Sequence, residues 1–177
     1  MPGSDLRDSY VVSGFPGLSD SEGSRTVIRE GGRKVYSMPA MRLIDCLPHQ
    51  PPMRLLEEIV QLTRGQTATA RRVAKPEDFY FQGHFPGQPV VPAIILIELL
   101  AQTGGLAVAA PEADESRVTE LRVAAIGSFK FPAAAGPGAT LEACARVAGR
   151  LGSMYKIEGE VTADGRLVAA GSLTLAG

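Results

Sequence analysis

The apolar segment in FQGHFPGQPVVPAIILIELLAQ, residues 81–102, constrains the fold more than any other part of the chain. Pro92 suits the first position of a helix, and there is no proline from Ala93 to about Ala109, so a helix that starts at Pro92 can continue unbroken. Its first turns are apolar on every side, which is typical of a helix buried on most faces. Because one helix can be covered from all sides only by a sheet that curls around it, the sequence predicts an α+β fold.

The rest of the chain supplies strands for such a sheet. Its segments carry β-branched or alternating apolar residues, and glycine-containing turns separate them. Asp164-Gly165, between two such segments, is a strong hairpin signal. Two strands joined by a turn at 63–65 are expected before the helix. We predict strands at 54–62, 66–74, 118–126, 128–131, 140–147, 154–161 and 167–175, with Gly127 as a break.

The first 38 residues differ in composition from the remainder. They include SGFPGLSDSEGSRTVIREGG, which is rich in serine, glycine and charge and has no sustained hydrophobic period. This composition predicts a flexible extension over 1–38, with one short strand at 25–29 or 34–37. Residues 39–177 then form a single folded domain, which begins with one or two helical turns at 41–47.

Charge and cysteine usage exclude several classes of function. The formal net charge of −1 provides no basic footprint for nucleic acid. The longest apolar run is too short to span a bilayer, and the N-terminus has no apolar signal segment. Cys46, Cys144 and the two histidines match no metal-binding spacing. We therefore expect a cytoplasmic protein with reduced thiols, no metal, and no nucleic-acid or membrane partner.

A carboxylate interrupts the apolar helix at Glu98. Gln102 lies four residues later and therefore on the same helix face. Burying an unpaired carboxylate is costly, so the position requires an explanation. Two interpretations stay open: Glu98 lies at a helix edge or pairs with an arginine, or it lines a pocket as a general acid.

His84 lies in the rigid loop GHFPG that leads into the helix N-terminus. A lone histidine is more often a loop or core residue than a catalyst. The helix start, however, offers free backbone N–H groups and a favourable dipole for a developing negative charge. One short segment therefore supplies a base, an acid and an oxyanion site. These groups suit removal of a proton from a carbon beside a carbonyl.

Three stretches, LPHQPPMRLLEEIV, FQGHFPGQPVVP and IELLAQTGG, resemble the FabZ-type (3R)-3-hydroxyacyl-acyl-carrier-protein dehydratases. Their order and spacing agree with the family from about Leu47 through Leu175. His84 precedes Glu98 by fourteen positions, as in the family's catalytic pair. The resemblance implies a hot-dog fold, in which a curved antiparallel sheet wraps a long central helix.

The resemblance also implies roles for individual residues. His84 would remove the α-proton of a 3-hydroxyacyl thioester, and Glu98 from the partner subunit would assist departure of the 3-hydroxyl group as water. The backbone N–H of Ala93, where the family has a glycine, would bind the thioester carbonyl, and the extra methyl group would narrow that site. No catalytic role is assigned to His49. The expected substrate-binding residues are Ala93, Gly87, Phe85 and Gln102.

The resemblance implies no metal or organic cofactor, because a preorganised base and oxyanion site suffice for this chemistry. The implied partners are an acyl carrier protein bearing a phosphopantetheine-linked acyl chain and a second copy of this chain. Three dimers often assemble together in the family. The basic side chains considered for binding an acidic carrier are Arg71, Arg72, Lys75, Arg122 and Lys130. An ordinary solvated charged surface would explain the presence of these residues equally well.

Two other functions stay open at this level. A hot-dog thioesterase or enoyl-CoA hydratase would act on CoA thioesters, and an acid in place of His84 or a different loop would indicate it. A non-catalytic acyl-binding protein would not need both His84 and Glu98. The sequence contains both residues, and we therefore favour the dehydratase.

Overall fold

The computed structural model describes residues 9–10, 26–30, 33–37, 44, 47–109 and 121–177. A 17-residue helix packs against one face of a sheet that contains all the described strands. In chain order the elements are β1 (Ser9–Tyr10), β2 (Thr26–Glu30), β3 (Arg33–Ser37), β4 (Glu58–Thr63), β5 (Thr67–Val73), a 3₁₀ turn (Phe79–Phe81), α1 (Ala93–Ala109), β6 (Arg122–Lys130), β7 (Thr140–Leu151), β8 (Met154–Ala163) and β9 (Arg166–Ala176).

The described strands follow the order β2-β3-β1-β4-β5-β7-β8-β9-β6. All neighbours are antiparallel except β1 and β3, which are parallel. The chain crosses from β5 through α1 to β6 at the far edge and then returns through β7 to β9. An antiparallel sheet packed on one long helix is the arrangement that the sequence predicted.

Small side chains on the inner face of the sheet let the helix approach closely. Along β5 the buried positions alternate with partly exposed ones and include Ala68 and Ala70, and on β7 they include Ala143 and Ala145. The facing helix residues are larger, and Leu99, Leu100 and Leu106 are fully buried. Large side chains on the helix thus fill the space that small side chains on the strands leave.

The two adjacent glycines of α1 have different surroundings. A Cβ at Gly104 would lie 2.8 Å from Cγ2 of Ile157, a fully buried residue of β8. At Gly105 an added Cβ would meet no heavy atom within 4 Å. Close packing of helix and sheet is therefore found at Gly104, where the two elements approach to a distance that suits glycine.

The break predicted at Gly127 is wrong, because β6 continues through it. The pairing of β6 with β9 shifts register between Ile126 and Phe129. An added Cβ at Gly127 would collide with the Ser172 hydroxyl on the neighbouring strand. Gly127 therefore lies at an irregularity of β6 where the neighbouring strand is close. Such an irregularity does not end a strand. Residues 118–120 of the predicted strand lie outside the described part of the chain.

The hairpin turn predicted at Asp164-Gly165 is confirmed. Both residues have positive φ, at 50° and 80°. This backbone combination is that of a type I′ turn, which matches the twist of the strands it joins. Ala163 and Arg166 pair directly across the turn and close the hairpin.

The N-terminal segment contains more strand than the sequence indicated. The structure has both β2 and β3, paired with each other, where one strand was expected. In addition, β1 pairs with β4 through Ser9 opposite Thr63. The rest of this segment lies outside the described residues, as do the turns predicted at 41–47 apart from Ile44 and Leu47.

Helix α1 begins one residue later than expected. Pro92 precedes it, and the Pro92 carbonyl accepts hydrogen bonds from the N–H groups of Ile95 and Leu96. The first turn is also less buried than its apolar sequence predicted, since Ala93 is exposed and Ile94 is 60% exposed. None of the helices in the described ranges is long and apolar enough to cross a membrane.

Candidate active site

The loop that carries His84 is closed by its own backbone. The N–H of Val90 donates to the His84 carbonyl at 2.9 Å, and Phe85 and Gln88 exchange two backbone hydrogen bonds. Gly87 sits in this loop with φ 77°, a conformation that favours glycine. The predicted residues His84, Phe85 and Gly87 therefore belong to one compact turn that leads into α1.

The surroundings of the His84 ring determine which nitrogen can act as a base. Its Nδ1 lies 3.0 Å from the carbonyl oxygen of Val90. Because a carbonyl oxygen only accepts, Nδ1 carries the proton of the neutral ring and Nε2 keeps its lone pair. The ring of Phe85, which is 56% exposed, stacks on the imidazole with centroids 4.2 Å apart. The structure thus gives His84 the tautomer that a general base needs.

A buried arginine anchors the segment that enters this loop. The Arg72 guanidinium pairs with Asp78 and also donates to the Leu55 carbonyl. The Tyr80 hydroxyl donates to the same Asp78 carboxylate at 2.7 Å. Burial, followed by this hydrogen bond, raises the pKa of Tyr80 far above its ordinary value. Tyr80 therefore acts as a neutral donor that ties the 3₁₀ turn Phe79–Phe81 to β5.

Glu98 lies on the second turn of α1, and its side chain is 24% exposed. Gln102, at only 2% exposure, donates from Nε2 to Oε1 of Glu98 at 2.9 Å and to the Met53 carbonyl at 2.7 Å. The Gln102 side-chain oxygen accepts from the N–H of Leu55 at 3.0 Å. These three bonds fix the amide orientation, so a donor always faces Glu98. Gln102 thereby links α1 to the 53–55 segment rather than to the histidine loop.

A cavity of about 290 Å³ opens beside Glu98. Its wall includes Gln102, Gly105 and Arg122 as well as His49, whose Nε2 lies 3.5 Å from Oε1 of Glu98. The remaining lining is largely apolar. Of the two interpretations left open for Glu98, the structure therefore supports the carboxylate that lines a pocket.

His84 and Glu98 do not meet within one chain. The contacts of the His84 ring are with Val90 and Phe85, and His84 does not line the Glu98 cavity. The imidazole that lies next to Glu98 is that of His49. Sequence reasoning gave His49 no role in the site, although its place in the LPHQPP motif was the available signal.

The start of α1 has free hydrogen-bond donors. The amides of Ala93 and Ile94 have no acceptor among the residues that the structure describes, whereas the Ile95 amide donates to Pro92 at 2.9 Å. Ala93 and Ile94 are both exposed. The helix start thus retains the donors and the dipole end that a developing oxyanion requires.

Most of the basic side chains considered for carrier binding are engaged within the chain. Arg72 is buried against Asp78, so it is not available at the surface. Arg71 pairs with Glu142, and Lys75 pairs with Glu57, each at 2.7 Å. Arg122, by contrast, is exposed and lines the Glu98 cavity.

The edge strand β6 exposes apolar side chains. Among the described strands it pairs with β9 alone, so no described strand covers its other edge. Val123 and Ile126 on this strand are 39% and 51% exposed, and Phe131 just after it is 42% exposed. An open edge with exposed apolar residues favours association with another chain.

Comparison with known proteins gives consistent similarities. A family model described as a FabA-like domain matches residues 47–172. The chain is 36% identical over 134 residues to a protein of Roseiflexus sp. named 3-hydroxyacyl-acyl-carrier-protein dehydratase FabZ, covering 76% of this chain and 92% of the relative. It is 32% identical over 139 residues to the FabZ of Streptococcus equi subsp. zooepidemicus, covering 78% and 97%.

Solved structures with a similar fold include two hot-dog proteins. The dehydratase heterocomplex ApeI:P from Xenorhabdus doucetiae aligns with a TM-score of 0.63 at 18% identity, covering 75% of this chain and 89% of that chain. The PaaI protein of E. coli aligns with a TM-score of 0.50 at 17% identity, covering 67% and 77%. These likenesses concern the fold alone, and they confirm the predicted hot-dog arrangement.

Proposed function

The chain belongs to the FabA-like family, and from this membership we propose that it dehydrates a (3R)-3-hydroxyacyl thioester on acyl carrier protein to the trans-2-enoyl thioester in fatty-acid biosynthesis. The structural observation that carries the proposal is the state of His84. Its Nδ1 is held by the Val90 carbonyl, which leaves Nε2 as a base in the loop that leads into α1. An acid in place of His84 or a different loop would instead indicate a thioesterase or hydratase, and the sequence has neither.

In the proposed reaction, Nε2 of His84 takes the proton from C2 of the substrate. Negative charge then develops on the thioester oxygen, where the exposed amides of Ala93 and Ile94 can donate to it. The C3–O bond breaks as the C2–C3 double bond forms, and Glu98 gives its proton to the departing hydroxyl group, which leaves as water. The proton on His84 is afterwards returned to Glu98 through solvent, which restores both groups.

We propose that two chains share each site, with His84 from one chain and Glu98 from its partner. Two observations support this arrangement: His84 does not line the Glu98 cavity of its own chain, and no described strand covers the outer, partly apolar edge of β6. In a dimer with a two-fold axis, His84 of each chain would meet Glu98 of the other chain, and the β6 edges of both chains would be covered.

We propose that the acyl chain is delivered on the phosphopantetheine arm of an acidic carrier protein in the cytoplasm. Arg122 is the basic residue best placed to assist delivery, because it lies at the wall of the Glu98 cavity. Ala93, Phe85 and Gly87 would line the path of the thioester near the helix start. Gln102 supports this site through Glu98 rather than through direct contact with substrate.

We propose that residues 1–38 are an extension outside the catalytic domain, which comprises 39–177. The match to the FabA-like model begins at residue 47, and the alignments with the two FabZ relatives span 78% and 76% of this chain. Removing residues 1–37 is expected to leave a folded enzyme with a kcat/KM within about threefold of the full chain. Steady-state kinetics of the truncated chain measure kcat/KM, and circular dichroism shows whether it is folded.

The truncation also removes strand β1. In the full chain β1 pairs with β4, so the truncated protein has an exposed β4 edge. Aggregation or loss of turnover in the truncated protein would show that this edge needs its cover and that the extension belongs to the fold.

The function is tested by incubating the protein with (3R)-3-hydroxyacyl thioesters of several lengths, on carrier protein and on CoA. Loss of one water from the acyl chain, followed by mass spectrometry, is the expected result. Release of a free thiol without an enoyl product would instead indicate a thioesterase. Turnover of the CoA substrates alone would favour a hydratase of CoA thioesters. Absence of any turnover would contradict the proposal.

A further inference from the structure

Oxygen Oε1 of Glu98 has two neighbours that can donate to it, and Oε2 has none among the described residues. Gln102 donates to Oε1 at 2.9 Å from an amide whose orientation is fixed by Met53 and Leu55. The second neighbour is Nε2 of His49, at 3.5 Å. This distance is long for a hydrogen bond but short enough for a charge–dipole contact. The two oxygens of the carboxyl group are therefore not equivalent.

The other nitrogen of His49 indicates the form of its ring. Nδ1 is buried and has no hydrogen-bond partner in the described part of the chain. A proton on Nδ1 would be a buried donor without an acceptor, which is rarer in proteins than an unsatisfied acceptor. The neutral ring with its proton on Nε2 avoids this. In that form the protonated nitrogen of His49 is the one that lies 3.5 Å from Oε1 of Glu98.

We propose that His49, together with Gln102, fixes Oε1 of Glu98 as the accepting oxygen, so that Oε2 carries the proton that leaves with the 3-hydroxyl group. In a protonated carboxyl group one oxygen bears the proton and the other accepts. The hydrogen bond from Gln102 and the nearby Nε2 of His49 select Oε1 as the acceptor and leave the proton on Oε2. His49 is thus a positioning residue that acts through Glu98, and the inference rests on the proposed dehydratase function.

The test compares His49→Phe, which keeps an aromatic ring but removes the donor, with His49→Asn, which keeps a side-chain N–H. His49→Phe is expected to lower kcat about tenfold with KM within about twofold, because a donor to an ionisable group is removed. His49→Asn is expected to recover activity to within about threefold of the wild type. Gln50→Ala, at the exposed neighbouring position, is the matched control and should have no effect.

A second measurement separates positioning from a structural role. In the Glu98→Gln background, His49→Phe should lower the residual kcat by less than about twofold, because its effect passes through Glu98. An equal loss in both backgrounds, or equal losses for Phe and Asn, would overturn the inference. Full activity of His49→Phe would also overturn the inference. Inactivity of the wild-type chain on every hydroxyacyl thioester would instead contradict the proposed function itself.

Discussion

His84→Ala and Glu98→Gln are each expected to lower kcat/KM for a hydroxyacyl thioester by roughly 10²–10⁴-fold, the range for loss of a general acid or base. In the first variant the Nε2 base is missing. In the second, an amide replaces the carboxyl group and cannot release a proton to the departing hydroxyl group. Both side chains are partly exposed and neither fills the buried core, so the fold should persist. Steady-state kinetics and thermal unfolding monitored by circular dichroism measure the two effects.

Glu160→Gln is the matched control for the acid variant. Glu160 is an exposed residue of β8 and has no part in the proposed site, so the same chemical change there should leave turnover unaltered. Wild-type activity in folded His84→Ala or Glu98→Gln would refute the proposed pair. A comparable loss in Glu160→Gln would show that the assay reports a general effect of charge removal.

Mixing inactive His84→Ala with inactive Glu98→Gln is expected to restore about a quarter of the wild-type activity once the subunits have exchanged. Random exchange makes half of the dimers mixed, and each mixed dimer has one intact site of two. The physical basis is the separation of His84 from the Glu98 cavity within a chain. Native mass spectrometry confirms that mixed dimers have formed, and turnover is measured on the same sample.

The double variant His84→Ala/Glu98→Gln provides a reciprocal control. Mixed in equal amount with the wild type, it should halve the activity per wild-type chain, because neither site of a mixed dimer then has both groups. If each site lay within one chain, this mixture would keep full activity per wild-type chain, and the two single variants would stay inactive together. Those two results, in the presence of mixed dimers, would rule out a shared site.

The fold was predictable where local signals and burial agree. The bounds of α1 follow from the proline before it and from a continuous apolar run, and the Asp164-Gly165 turn follows from the need for two positive φ values. The continuity of β6 through Gly127 was not predictable, because the glycine reflects the closeness of Ser172 on a strand distant in sequence. The sequence shows a glycine but not what lies beside it.

The site was predictable only in part for a related reason. Glu98 stands out because it breaks an apolar pattern, and the GHFPG loop stands out because it leads into the helix N-terminus, but their separation within one chain depends on where the loop turns. His49 gives no such contrast, since it lies in a proline-rich segment where a polar residue is ordinary. Its contact with Glu98 arises only when the chain before β4 folds back along α1. The roles of these residues remain predictions for the experiments above.

The three bonds of the Gln102 amide have a consequence for the energetics of turnover. Two of them join α1 to the backbone at Met53 and Leu55 when the chain folds, before any substrate is present. The donor that faces Glu98 is therefore already oriented when the carboxyl group changes its charge during a reaction. In water, solvent dipoles would have to rearrange at that moment, and this reorganisation adds to the barrier. Because folding has already oriented the buried Gln102 amide, the donor that faces Glu98 does not have to rearrange in each catalytic cycle.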